Sequence, residues 1–523
     1  MNKFIKKIAG IFIVAIVFIS CEKNLKDETF SVYNASTLTK PENGEQAVIG
    51  AYAALKDNGG YGYYAGFYYW LNEYQADVVT ANALAAQGGQ VDQLTYSAST
   101  SAFNDVWSSI FRLVSRSNEC ISLVSGIDYT GNGSTDVIKN QHLGEARFLR
   151  ALAYYDATSL WGDVPLIIKT SAQFTKADEN PPLAKQADIE KLMIEDLTFA
   201  EKYLPENFPP AQIARATSGA AKALLTRLYM RRGEWQKAAD KALEIINSGV
   251  YDLRTVAEGG IISLYFTANR ADNEFIFVLK SSSEPGSYSI NTNSFGINSV
   301  PWDYNRGWGN FPINLSFYAQ FDKNDGRREL LTGFYKTLYG QYVSVPKAYG
   351  GIGGSLPDTI AAKFVYNLKY PHVNNYNYAG FNNVSILRYA DVLLMRAESV
   401  NELNGPSQES IDLINQIRTR SNLADINLAS YPSKDLLRDK IFDERNKEFF
   451  MEGRRREDLF RWGKSSTNGT NPLAKFKEYV RPTLPDPSTY SDQVNYMYFP
   501  YPQNELQSNK SLSADLNKGR VRQ

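Results

Sequence analysis

Apolar residues recur along most of the chain with the spacing of amphipathic helices. Glu45 to Asp57 repeats apolar and small residues, and Phe103 to Val124 carries a second such stretch. From Glu145 to Trp161, Phe148, Leu152 and Tyr155 fall at helical spacing. Ile386, Ala390, Leu393, Ala397 and Val400 mark another inward stripe, broken at Asn404-Gly405-Pro406 before a helix from Ser407 to Arg420. Lys434 to Trp462 predicts one long charged helix. Between Gly249 and Val384 the pattern changes. Glu274 to Lys280 is a short β-like run, and Ser281 to Pro312 is rich in Gly, Ser, Asn, Tyr and Trp without a helical period. Irregular stretches of this length are uncommon in compact proteins and usually functional. The expected fold is mainly α, a helical scaffold with large irregular insertions and a few short β-strands.

The clearest local unit is Ser218 to Ser248. There Leu225, Tyr229, Gly233, Trp235 and Ala238 sit at the offsets of a tetratricopeptide repeat, a helix–turn–helix of ~34 residues. Small Ala220 and Ala238 let two helices approach closely, and Gly233 supplies the turn. The pair from Ile386 to Arg420 is a weaker match.

The N-terminus reads as an address. Lys3, Lys6 and Lys7 precede an apolar or small run from Ile8 to Ile19, too short to span a bilayer but suited to a secretory signal. Phe18-Ile19-Ser20-Cys21 resembles a bacterial lipobox, with Phe18 where Leu is commonest; the alternative is an ordinary signal peptide with a chance cysteine. The lipobox reading makes 1–20 a signal peptide, Cys21 the lipidated residue, 21–40 a polar tether and 41–523 a single domain. Lys26-Asp27-Glu28 in the tether resembles the acidic surface-export signals of Bacteroidetes lipoproteins. Cleavage removes three lysines and no acid, which tips the balanced chain slightly acidic.

Composition narrows the chemistry. The 523 residues contain 56 basic and 56 acidic side chains, so the basic footprint of a nucleic-acid binder is missing. Two cysteines cannot build a disulfide framework, and two histidines exclude a histidine-rich metal site. His142 and His372 read as polar surface residues. No Gly-x-Ser-x-Gly elbow precedes a helix. No Asp-x-Asp-x-Asp-Gly loop is present, although scattered Asp and Asn leave a bound calcium ion open.

Several separated motifs stand in order. Ala146-Arg147-Phe148-Leu149-Arg150-Ala151 continues to Tyr154-Tyr155 and Trp161-Gly162-Asp163-Val164-Pro165-Leu166. Leu387-Arg388-Tyr389-Ala390-Asp391-Val392-Leu393-Leu394-Met395-Arg396-Ala397-Glu398 is followed by Ile414-Asn415 and Ile417-Arg418. Then come Glu444-Arg445, Glu448-Phe449, Glu452-Gly453, Arg455, Asp458-Leu459 and Arg461-Trp462. Pro500, Pro502, Glu505-Leu506, Asn509 and Leu512 lie near the end, where Asp515-Leu516-Asn517 departs from a Gln-Asn ending. Behind a lipobox, this series resembles the RagB/SusD family of outer-membrane nutrient-binding lipoproteins. The resemblance implies tetratricopeptide-like helix pairs in a right-handed superhelical scaffold. It implies an extracellular lid over a SusC-like TonB-dependent transporter that captures oligosaccharide, or in some members peptide, and has no catalytic activity.

Sugar recognition needs aromatic faces for the apolar side of a pyranose and planar polar groups for its hydroxyls. Two stretches supply both. Tyr61 to Gln75 includes Tyr69 and Trp70 and leads to Asp77 and Asn82; many of its tyrosines are expected in the core. Trp302-Asp303-Tyr304-Asn305-Arg306-Gly307-Trp308 lies in the irregular insertion at about 249–384, where nothing in the pattern calls for burial. The glycan-binding candidates are therefore Trp302, Tyr304, Arg306, Trp308, Asp77, Asn82, Tyr69 and Trp70. Other classes remain: a surface glycoside hydrolase, which needs two carboxyls about 5–10 Å apart, and a protein-binding adaptor. In the Lys434 to Trp462 helix, acids and bases at three- and four-residue spacings read as surface pairs rather than catalytic acids, each worth ~0.2–0.5 kcal/mol.

Overall fold

A computed structural model of the protein describes residues 38–56, 62–82, 86–130, 136–266, 271–281, 295–354, 359–370, 383–465 and 471–522. Cys21, the leader, most of the tether and His372 lie outside them.

Helix α1 (Pro41–Ala53) opens the scaffold, and α2 (Phe67–Tyr74) carries the tyrosine-rich stretch. Two long helices follow, α3 (Ser101–Gly126) and α4 (Asp136–Trp161), then α5 (Gln186–Tyr203), α6 (Ser218–Arg232) and α7 (Trp235–Ser248). The insertion contributes β1 (Phe275–Leu279), a single helical turn α8 (Trp302–Asn305), and the strands β2 (Phe334–Lys336), β3 (Tyr342–Ser344) and β4 (Thr359–Ala361). Strand β5 (Val384–Arg388) leads back to helices α9 (Tyr389–Asn404), α10 (Gln408–Arg420), α11 (Lys434–Phe449) and α12 (Arg455–Ser465). From α3 to α7 each helix packs on the next, and α9 packs on α7, α10 and α11. One apolar cluster runs through them from Val48 to Tyr501.

The expected helix–turn–helix forms for the reasons its residues suggest. Thr217 Oγ1 accepts the Ala220 N–H at 3.0 Å and caps α6, a contact worth ~1 kcal/mol. Gly233 ends the helix at φ 73°, and Ala220, Ala223, Ala238 and Ala242 are buried where α6 meets α7. Helix α5 has no counterpart in the expectation, although Ile189, Met193, Leu197 and Ala200 form its buried stripe.

Three expectations need correction. His142 is 3% exposed rather than a surface residue, bonding Tyr129 through Nδ1 (2.9 Å) and Glu45 through Nε2 (2.9 Å). The predicted long charged helix is two helices, broken where Met451 and Gly453 take left-handed backbone at φ 60° and 69°. A Cβ at Gly453 would sit 3.2 Å from the Tyr69 ring, so glycine lets α2 lie against the break.

The third correction concerns Glu444, Glu448 and Glu452, which are buried rather than paired at the surface. Glu448 accepts from Arg388 (2.9 Å) and Arg420 (2.5 Å), Glu444 from Arg327 (2.6 Å), and Glu452 from Arg388 (2.9 Å) and Lys369 (2.7 Å). Glu274 adds a carboxylate against Arg388 and Arg420. Four-residue spacing aligns Glu444 and Glu448 on one face of α11. Strand β5, helix α10 and the insertion each deliver a cation to that face. Because Arg327 and Lys369 belong to the insertion, these ion pairs clamp it to the scaffold. The antiparallel pairing of β1 with β5, with Phe277 opposite Leu387, closes it at its base.

Candidate functional site

The site rests on the tyrosine-rich stretch, which turns inward. Tyr63, Tyr64 and Tyr68 all donate to the Asp156 carboxylate of α4, Tyr63 at 2.6 Å and Tyr68 at 2.9 Å. Tyr69 is 1% exposed and donates its hydroxyl to the Ser385 carbonyl at 2.8 Å. Asp77 is buried and held by both forks of Arg455 at 2.7 and 2.8 Å. Tyr69 and Asp77 therefore do not present themselves to a sugar. Their ring and carboxylate are consumed in holding α2 against β5 and α12.

The remaining candidates come together across the two stretches. Tyr74 donates to the Asn310 carbonyl (2.6 Å) and stacks on Phe311 with centroids 5.1 Å apart, while Trp70 meets Phe311 edge-on at 5.6 Å. The Thr80 amide bonds Pro312 O, and the Asn314 amide bonds Val78 O, each at 2.9 Å. The Asn82 side-chain amide donates to the carbonyls of Trp308 (3.1 Å) and Gly309 (2.8 Å). Asn82 thus holds the end of the 302–308 loop, and Trp70 packs on Phe311 just beyond it. Trp308 is half-buried, and its amide bonds Ile297 O at 2.6 Å. Arg306 is exposed and ends α8 in left-handed backbone at φ 55°. Gly307 follows because a Cβ there would lie 2.1 Å from Val300 O.

Above this support lies an exposed aromatic face. Trp302 is 56% exposed and donates its indole N–H to the hydroxyl of Tyr339, itself 69% exposed, at 3.2 Å. Tyr339 sits at the tip of the β2–β3 hairpin, where Gly340 at φ 88° makes the turn. Exposed Phe334 stacks on Tyr342 across the hairpin, 5.5 Å apart with ring planes 8° from parallel. Tyr304 packs edge-on to Tyr335 at 5.1 Å, and the Leu338 amide bonds Asp303 O at 2.7 Å, which ties α8 to the hairpin. Beside them opens a cleft of about 370 Å³, bordered by Tyr304, Tyr318, Arg328, Tyr335 and Ile352. Among the described residues, Trp302, Tyr339 and Tyr349 are the exposed tryptophans and tyrosines, and all lie in this one segment. Tyr339 and Phe334 were missed by the sequence reading. Their signal is the period-two alternation of Phe334-Tyr335-Lys336 and Tyr342-Val343-Ser344 around Tyr339-Gly340.

Comparison with known proteins places this geometry. A model of the SusD family matches residues 353–519, and a model described as starch-binding associating with outer membrane matches residues 45–230. Both ends of the chain thus resemble SusD-type families. A SusD-like protein P25 of Formosa agariphila is 26% identical, over 87% of this chain and 89% of its own. A SusD superfamily structure from Bacteroides vulgatus aligns with TM-score 0.72 and 24% identity over 91% of this chain and 98% of its own. Surface glycan-binding protein A from Bacteroides thetaiotaomicron, solved in complex with laminarihexaose, aligns with TM-score 0.70 and 19% identity over 92% and 99% of the two chains. The mainly helical scaffold is therefore the SusD fold.

The aromatic face at 302–349 falls between the two matched segments. Its chemistry suits a neutral polyhydroxylated ligand. Flat rings can cover C–H faces, and the Tyr335 phenol and the Arg328 guanidinium border the cleft as partners for hydroxyls. Burial, reinforced by the nearby Asp303 carboxylate, holds the Tyr335 phenol above its ordinary value and keeps it protonated. Arg328 is oriented by the Tyr318 hydroxyl (2.9 Å) and Gly350 O (2.8 Å). Among the described residues no group of three His, Cys, Asp or Glu side chains is placed to hold a metal ion, and no helix is long and apolar enough to cross a membrane.

Proposed function

We propose that this protein is a cell-surface lipoprotein, anchored in the outer membrane through Cys21, that captures oligosaccharide and delivers it to a SusC-like TonB-dependent transporter. The observation that carries the binding half is the exposed Trp302–Tyr339 pair on a loop that the scaffold holds from several sides. Large exposed aromatics cost solvation unless a ligand covers them, and pairing two on one rigid face suits a sugar chain. The starch-binding description of a matching family and the laminarihexaose complex of a structural neighbour support a glycan as that ligand. The outer-membrane description supports the location. An acyl anchor at ~0.8 kcal/mol per buried methylene holds such a protein on a membrane without a spanning helix.

Binding without cleavage is the reading, and Glu444 and Glu452 are not a catalytic pair. Glu444 and Glu452 are held down to about 2, because Arg327 and Arg388 outweigh the upward push of burial. Carboxyls so pinned cannot serve as the protonated general acid that glycosidases need. The test is affinity electrophoresis of the purified protein through gels containing starch, laminarin or a panel of other soluble polysaccharides, followed by a reducing-end assay on the same mixtures. Retardation by at least one polymer with no new reducing ends is expected. New reducing ends, or retardation by none, would overturn the reading.

A further inference from the structure

A second cleft, of about 490 Å³, opens between α4, α6, α12 and the C-terminal segment, and shares no lining residue with the aromatic cleft. Four cations reach it, Arg231, Arg456, Arg461 and Lys464, against one carboxylate, Glu457. Phe460, Pro472 and Met497 supply apolar walls.

The cations are unevenly compensated. Arg461 is neutralised by Glu398 and Asp458. Arg456 is 0% exposed and donates to Gln75 and to the carbonyls of Ser159 and Met497, all neutral acceptors. Arg231 bonds Tyr155 O (3.1 Å) and Thr158 Oγ1 (3.0 Å), and its Nε is buried without a hydrogen-bond partner. Its closest carboxylate, Glu190, lies 3.6 Å away and is already engaged by Arg232 at 2.8 Å. Lys464 is exposed and reaches the Arg231 carbonyl at 3.5 Å, with no carboxylate partner among the described residues. Glu457 accepts from the Tyr155 hydroxyl at 2.6 Å. Burial draws the Arg456 guanidinium down to about 10, against the smaller upward pull of Tyr96, Tyr68, Glu457 and Tyr498. Guanidinium forks in a partly dry, apolar-walled cleft recognise carboxylate and sulfate oxygens strongly.

We propose that this cleft binds an oxyanion, a carboxylate or sulfate carried on a compact body, seated between Arg231 and Lys464 with its body against Phe460 and Met497. The site is independent of the aromatic face and does not rest on the glycan reading. The test is isothermal titration of the soluble protein with sodium sulfate and sodium glucuronate at ionic strength fixed with NaCl, with glucose as the uncharged control. Saturable binding of sulfate or glucuronate and none of glucose is expected, weakened at least tenfold by Lys464→Glu and unchanged by Trp302→Ala with Tyr339→Ala. Tighter glucuronate binding identifies a sugar acid as the ligand class, and tighter sulfate binding identifies a free oxyanion. No saturable binding of either anion, or full binding by Lys464→Glu, would refute the site.

Discussion

Replacing Glu448 by alanine is expected to remove a large part of the protein's stability, although the residue lies far from any proposed ligand. Its Oε1 receives Arg388 and Arg420, its backbone carbonyl receives Lys369 at 2.7 Å, and its side chain is fully buried. Deleting it removes one of the two carboxylates that Arg388 and Arg420 share and leaves Glu274 to balance both buried guanidinium groups. Breaking a buried pair from one side costs about 3–5 kcal/mol, a large part of the ~5–15 kcal/mol that holds a domain folded. Insoluble protein or a sharply lowered melting temperature should follow. Glu409→Ala is the control, since its pair with Arg396 (2.7 Å) is half open to solvent, and exposed pairs contribute ~0–1 kcal/mol. Equal melting temperatures for the two variants would mean that the buried ion pairs of Glu448 do not stabilise the fold.

Stability should also peak on the acidic side of neutrality. Burial raises Asp156 and Asp92 to about 6 and Glu73 to about 7. Between their unfolded values and these, the folded state holds protons that the unfolded chain has released, so this stability is lost as pH rises from about 4 to 7. Glu444 and Glu452 behave oppositely. Their folded values near 2 make their contribution full above the unfolded value of 4.5 and lost as pH falls toward 2. At ~1.4 kcal/mol for each pH unit by which a group is moved, each of these acids contributes a few kcal/mol at most, and the maximum falls at about pH 4 to 5. Urea unfolding between pH 3 and 8 measures the curve. Asp156→Asn should flatten the limb above the maximum, because the group whose deprotonation drives it is gone. Stability rising steadily from pH 4 to 7 would contradict the buried placement of these acids.

The helical scaffold was legible because its signal is local. Phe103 to Val124 became Ser101–Gly126, and the Gly233 turn fell where small residues required it. The site was legible only as composition. Whether a tyrosine faces inward depends on partners far along the chain: Tyr68 finds Asp156 88 residues away, and Tyr69 finds Ser385 316 residues away. The acids of α11 looked like a solvated face for the same reason, since Arg327 reaches Glu444 from 117 residues away. Trp302 stood out because its stretch had no period to bury it. Tyr339, its partner, needed the hairpin to be recognised first.

The proposed function turns on the Trp302–Tyr339 face binding the glycan. The direct measurement is titration of the wild-type protein and of Trp302→Ala with Tyr339→Ala against the oligosaccharide of whichever polymer retards it, laminarihexaose or a starch-derived malto-oligosaccharide first, with circular dichroism as the folding control. Both rings are largely exposed, so the helical spectrum should not change. Loss of two stacking rings at the centre of a small interface costs about 2 kcal/mol or more, so Kd should weaken at least ~30-fold. Wild-type affinity in a folded double variant would contradict the account.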